Sequence, residues 1–352
     1  MKYAYLTLSL FLVLTGCAKL KVIDQIKIIQ GLGYDIEGKN IRGFALYPLY
    51  KNTHRGNPLI LLNGQSDTIQ GTVTSFTAQS QHPIELGQTR TVVLGDAFAK
   101  NGISELVSVL VRDPLLGSNA KVILTNQTAS KVLTQSLKQP PYYLANLVEQ
   151  NMTEGNTPIT NFHLLLNQYY GKGQDVYLPI LNIAEKGLIT MDGAGIFKGD
   201  KLHVKIHSKE ALLLKLLTDR DLTGKYEFTT GKNERVLLSF LYGKRSISLL
   251  EDKTVISLTL HTQLQEYPAS VSPLSPSEMN RFKKQIEEEL QSKIKELLTK
   301  FQTNGVDPVG FGELYRGKQR EWTEEHFQKD TYPNLHFVVK PEVILSQSGV
   351  GS

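Results

Sequence analysis

The sequence predicts an α+β protein in which several mixed or antiparallel sheets are flanked by helices, in three subdomains. Three observations carry that expectation. Residues 225–264 hold four strand-like runs separated by Gly231-Lys232-Asn233, Gly243-Lys244-Arg245 and Glu251-Asp252-Lys253, and such short connections imply antiparallel pairing. A long amphipathic helix over residues 276–303 follows them. In the first half, by contrast, strands and helices are interleaved.

In chain order, residues 41–47 and 59–62 are short strands punctuated by Gly, Asn and Pro. Residues 91–95 form a strand, and residues 104–112 a helix with Leu106, Val107 and Leu110 at helical spacing. Asp113-Pro114 ends that helix, because the residue before a proline is pushed out of the helical region. A strand at 121–124 precedes helices at 130–137, 141–154 and 162–170, the second with proline in its first turn. Strands at 176–181, 188–197 and 201–206 come next, the last two a hairpin turning at Lys198-Gly199-Asp200. Ser208 caps a helix whose Leu212, Leu213, Leu216 and Leu217 make an apolar stripe down to Asp219.

The last third is the most strongly patterned. Strands are expected at 225–230, 235–242, 246–250 and 255–264. In the fourth, Ile256, Leu258, Leu260 and Leu264 share one face and Ser257, Thr259, His261 and Gln263 the other, so one side of the sheet is dry and needs a cover. Helix 276–303 supplies it. Ser275-Pro276-Ser277-Glu278 is a capping box with proline at the first helical position, and Met279, Phe282, Ile286, Leu290, Ile294, Leu297 and Phe301 then recur every three or four residues until Asn304-Gly305. Residues 335–345 alternate as a closing strand, which Pro341 confines to an edge or a bulge.

Composition narrows the functional classes. The chain has 352 residues, 40% apolar and 21% charged, which fits a folded protein of about two or three domains. Its formal charge of +5 is too small and too scattered for a nucleic-acid binder. One cysteine permits neither an internal disulfide nor a Cys-based zinc site. Its position is informative. Lys2 precedes an apolar stretch at residues 6–14, and the next charge is Lys19, the pattern of a secretory signal too short to span a bilayer well. Leu14-Thr15-Gly16-Cys17 resembles the bacterial lipobox, in which the cysteine becomes a lipidated N-terminus because sulfur is the nucleophile that takes the diacylglyceryl group. Residues 1–16 are therefore read as signal peptide and Cys17 as the lipidation site. Residues 17–187 are read as an N-terminal α+β region of one or two subdomains, and residues 188–352 as a C-terminal α+β domain.

No catalytic, cofactor-binding or metal site is expected. A Gly-x-Ser-x-Gly elbow and a Walker loop are missing, and Gly31-Leu32-Gly33 lacks the third glycine of a dinucleotide turn. His203 and His207 are four apart, but they lie in a strand-like segment without the glutamate of His-Glu-x-x-His. A solvated helical face accounts for Glu324-Glu325-His326, and Trp322 suits a core anchor better than a binding residue.

Two stretches resemble the Ger(x)C family, the lipoprotein C subunits of spore germinant receptors. One is residues 189–202, with Gly193-Ala194-Gly195-Ile196-Phe197 in a hairpin followed by a leucine-rich helix. The other is Asp307-Pro308-Val309-Gly310-Phe311-Gly312-Glu313, with Tyr315-Arg316 and Trp322 beyond it. Arg112-Asp113-Pro114 also fits. The glycines of both stretches allow close backbone approach or positive φ, and Glu313 with Arg316 makes an i to i+3 pair. The resemblance implies a three-part α+β protein held by lipid on the outer face of the spore inner membrane, part of the cell membrane. It further implies a non-enzymatic subunit that assembles with integral membrane A and B subunits into a receptor for nutrients, without cofactors. Direct binding of a small molecule is left open, and a solute-binding lipoprotein of a transporter is the competing expectation.

Overall fold

A computed structural model describes residues 26–49, 58–112, 120–229, 235–267 and 275–347. The expected signal peptide, the expected lipidation site Cys17 and Asp113-Pro114 lie outside these residues. The described chain runs β1 (Lys27–Ile28), β2 (Gly31–Glu37), β3 (Asn40–Pro48), β4 (Leu59–Ser66), α1 (Ile69–Thr77), β5 (Ile84–Glu85), β6 (Thr91–Leu94), α2 (Asp96–Asn101) and α3 (Ser104–Arg112). It continues through β7 (Lys121–Thr125), α4 (Ala129–Ser136), α5 (Tyr143–Thr153), α6 (Phe162–Tyr170), β8 (Tyr177–Ile183), β9 (Ile189–Lys198), β10 (Lys201–Ile206) and α7 (Ser208–Thr218). The last part holds β11 (Gly224–Thr229), β12 (Arg235–Leu249), β13 (Thr254–Glu266), α8 (Pro276–Thr303), α9 (Phe311–Arg316), α10 (Glu324–His326) and β14 (Phe337–Gln347).

The α+β class holds, with three sheets. The largest has eight strands in the order β10-β9-β8-β7-β6-β2-β3-β4. Its four central strands are parallel, and an antiparallel hairpin flanks them on each side. Parallel strands need cover on both faces, and β6 shows why its run is apolar without alternation. Val92 and Leu94 pack with α1, α2, α3 and α6, whereas Val93 packs with α4 and α5 on the other side. Gly33 of the Gly31-Leu32-Gly33 run is a strand residue, and a Cβ there would lie 2.5 Å from Leu133 of α4. That glycine permits close helix-on-sheet packing rather than a phosphate turn.

A two-stranded piece, β1 with β5, sits beside the first sheet, and four strands in the order β11-β12-β13-β14 make the third. Two expectations for this third sheet are corrected. Residues 235–250 are not two strands around a turn: β12 runs 15 residues straight through Gly243-Lys244-Arg245. Gly243 lies under its neighbour strand, where a Cβ would come within 2.7 Å of Thr259 O, and a register shift near it pushes Leu241 out into solvent. The sheet is also not wholly antiparallel. β14 pairs parallel to β13, because α8 carries the chain back along the sheet before the last strand begins. Pro341 sits on this edge strand, as its missing N–H requires.

α8 covers the dry face as expected. Ser275 Oγ accepts from Glu278 N at 3.3 Å while Glu278 accepts from Ser275 N at 3.0 Å, so the capping box closes in both directions. Phe282, Ile286, Leu290, Ile294, Leu297, Leu298 and Phe301 are buried against β12, β13 and β14. The same core takes in α7 and the far face of the large sheet through Tyr177, Ala194, Ile196, Val204 and Ile206. α7 is therefore a buried joint between the two large sheets. Its cap is His207 rather than Ser208, with the His207 N–H donating to Glu210, and Glu210 pairs in turn with Lys300 of α8 at 2.9 Å.

Candidate functional site

The two sequence motifs lie at the junction of the large sheet and the C-terminal part. The hairpin β9–β10 continues the large sheet beyond β8, and its glycines are there for space. Gly193 has φ +100°, and a Cβ on it would fall 2.0 Å from Ile206 O. A Cβ on Gly195 would collide with the Leu124 and Leu202 side chains, and nearby Phe197 is fully buried. At the tip, Asp200 O accepts from Ile103 N at 2.9 Å, fixing the hairpin to the corner between α2 and α3. His203 and His207 are exposed and face no third ligand type. Among the described residues no three His, Cys, Asp or Glu side chains group to hold a metal.

The second motif is organised by Asp307, which is fully buried. Its carboxylate accepts from Gly310 N at 2.9 Å and Gly312 N at 2.8 Å, so one side chain curls the loop around itself. Gly310 makes this possible with φ +86°, outside the comfortable range of other residues. The loop then docks on residues 171–175. Asp175 accepts from Asp307 N at 2.6 Å, Asp175 N donates to Asp307 O at 2.9 Å, and Glu313 N donates to Gly173 O at 2.9 Å. Gly173 and Gly312 touch back to back, since a Cβ on Gly312 would lie 2.7 Å from Gly173 Cα. Gln174 adds a bond to Pro308 O at 2.9 Å. The Tyr332 hydroxyl closes the arrangement on Val306 O at 2.7 Å, with the Phe311 ring tilted against the Tyr332 and Phe337 rings.

Burial pushes both carboxyls up, Asp307 to about 7 and Asp175 to about 6. The bonds from Gly312, Phe311 and Gly310 act against that at Asp307, while the charge of Asp175 adds to it. At Asp175 the bond from Asp307 opposes burial, Glu324 reinforces it, and Lys198 and His203 oppose it. A raised carboxyl pair can signal acid–base work, but both oxygens of Asp307 and one of Asp175 are committed to main-chain N–H groups. Neither Asp lines the nearby recess of about 220 Å³, whose polar walls include Gln168, Lys172, Gln174, Glu313 and Arg316. The arrangement holds two parts of the chain together.

The remaining motif residues complete that picture. Trp322 packs against the core 6.2 Å from the Phe327 ring. Glu325 pairs with Lys329 at 2.6 Å and His326 meets Asp330 at 2.9 Å on an exposed helical face, while Glu324 reaches Gly173 N at 3.3 Å. Glu313 and Arg316 face each other at 3.8 Å. Sequence reasoning missed Asp175, a lone acid in a turn, and Lys215, which sits inside the leucine run of α7. Lys215 is fully buried with its three N–H groups on Met152 O, Gly155 O and Thr223 Oγ1 at 2.7, 2.9 and 3.1 Å.

Residues 19–183 match the spore germination protein N-terminal domain, and residues 192–349 match the spore germination B3/GerAC-like C-terminal domain. The chain belongs to the Ger(x)C family. Among curated relatives, the Ger(x)C chain is 29% identical to spore germination protein GerQC of Bacillus cereus, with 98% of each covered. It shares its fold with the crystal structure of the GerBC protein at a TM-score of 0.57 and 17% identity, over 92% of this chain and 99% of that one. Both motifs of this Ger(x)C chain thus serve the junction between its two matched parts.

Proposed function

We propose that this Ger(x)C chain is the lipid-anchored C subunit of a nutrient germinant receptor, acting by assembly with integral membrane A and B subunits at the outer face of the spore inner membrane. The observation that carries the reading is the full-length likeness to GerQC, which spans both motifs and the lipobox region. The site chemistry supports a non-enzymatic role, because its two most perturbed carboxyls are occupied in fixing the backbone. Among the described residues no helix is long and apolar enough to cross a membrane, so acylation of Cys17 would supply the attachment. One acyl chain holds marginally at about 0.8 kcal/mol per buried CH₂, whereas two or three hold firmly. Confinement to a surface also raises the effective concentration of partners.

The test is Cys17→Ala in the native spore. The variant is expected to fold, to leave the membrane fraction, and to lower the germination response to nutrients; full membrane retention together with normal germination overturns the reading.

A further inference from the structure

The described chain begins at one edge of the large sheet, and the same edge carries an open, basic cleft. Gln30 leads into β2, Arg90 into β6, and Lys121 opens β7. They are neighbours across the amino edge of these parallel strands: Arg90 N donates to Gln30 O and Lys121 N donates to Arg90 O, both at 2.8 Å. Adjacent strands are about 4.8 Å apart, so Lys121 is only about 10 Å from the strand that leads back to the N-terminus. Beyond Ile26, nine residues reach back to Cys17, a length that extends no further than about 30 Å at 3.3–3.6 Å per residue. A lipid on Cys17 therefore keeps this edge of the sheet within a short reach of the bilayer.

The cleft has a volume of about 610 Å³, and its polar lining is Arg90, Lys121, Tyr142, Asn146, Glu149 and Asn161. Lys121 is satisfied by Glu149 at 2.6 Å, whereas Arg90 is exposed and has no ion pair among the described residues. One positive charge is left over. Two helices add to it. α5 starts at Tyr142, held at φ +64°, and α6 starts at Asn161, so both present their positive ends to the same space. Tyr142 itself is 37% exposed, an amphipathic ring of the kind that suits a headgroup layer. Behind it Gln30, only 3% exposed, accepts from Tyr142 N at 3.2 Å through Oε1 and leaves its Nε2 donor without a partner. Gln30 lies beneath the cleft rather than in its wall, so the group that faces the space is Arg90, whose planar guanidinium matches phosphate oxygens in a two-pronged fashion. Glu85 and Glu149 are the carboxylates of this edge, so the anion taken would be small and localised rather than a broad acidic surface.

We propose that this cleft binds the phosphate of an anionic membrane lipid headgroup and so seats the amino edge of the large sheet on the bilayer. The choice of a lipid over free phosphate rests on the anchor reading above, which brings headgroups to the cleft at high local concentration. The test uses the full processed lipoprotein purified in dodecyl maltoside and titrated calorimetrically with dihexanoylphosphatidylglycerol, dihexanoylphosphatidylcholine and inorganic phosphate. Phosphatidylglycerol is expected to bind at least ten-fold more tightly than either of the others. Arg90→Ala should lose that preference while melting as the parent does, and Arg42→Ala, at the opposite end of the sheet, should keep it. Inorganic phosphate binding as tightly as phosphatidylglycerol overturns the lipid assignment, and heat-silent titrations with all three overturn the site. The mass of the N-terminal peptide reports the anchor separately, so an unacylated Cys17 defeats the anchor reading while the titration still judges the cleft.

Discussion

Asp175 is the residue at which the junction is most open to direct measurement. Its carboxyl rises to about 6 and that of Asp307 to about 7, both from ordinary values of 3.8, with burial as the main cause. The folded state therefore holds protons that the unfolded chain releases, and stability from this pair is present at acid pH and lost as pH climbs through about 4 to about 7. Lys198, His203, Glu324 and Tyr332 are the charged and titratable groups facing the pair. Asp175→Asn keeps an oxygen for the Asp307 N–H but removes the charge. Its stability should match or exceed the parent at pH 8, and its gain between pH 8 and pH 5 should be smaller by roughly 1–3 kcal/mol. Urea midpoints at the two pH values measure this, and parallel pH dependences for parent and variant would contradict it.

At the scale of elements, β12 separates a turn from a strand. A Gly-Lys-Arg triplet between two apolar runs has the composition of a turn, and nothing local reveals that Gly243 lies flat against Thr259 of the next strand. Gly243→Ala should cost about 1–3 kcal/mol, since the added carbon meets backbone, and those alternate amides between Gly243 and Ile247 that point toward β13 should exchange slowly with solvent. A neutral substitution with fast exchange would restore the turn. The same limit explains what else the pattern left unread. α1 has Gly71 and three threonines, poor helix formers whose spacing is overridden by burial of Ile69, Thr72 and Phe76. The parallel seating of β14 depends on the direction in which α8 returns the chain, which periodicity does not encode. α8 itself was fully legible because cap, proline and apolar period agree. At the junction the glycines were legible as backbone requirements, whereas Asp175 was not, since its partner Asp307 is 132 residues away.

For the whole molecule, the question is whether the division at residues 187 and 188 marks parts that fold alone. The division falls between β8 and β9, which pair with each other in one sheet. Phe197 and Leu202 from beyond it belong to the core of the N-terminal part, while Ala194 and Ile196 on the same hairpin belong to the C-terminal core. Tyr177, from before it, is buried with α7 and α8. The buried Lys215 of α7 is satisfied by the main chain of Met152 and Gly155, so separating the parts also strands a desolvated cation. A chain ended at residue 187 should therefore aggregate or melt without cooperativity, and the intact chain should unfold in a single calorimetric transition. Two well-separated transitions, or a cooperatively melting fragment, would mean that the hairpin and Lys215 decorate an interface instead of building a shared core. A single transition would mean that strain introduced anywhere along the hairpin or the Asp307 loop is felt by both halves, because the two cores then form and melt as one unit.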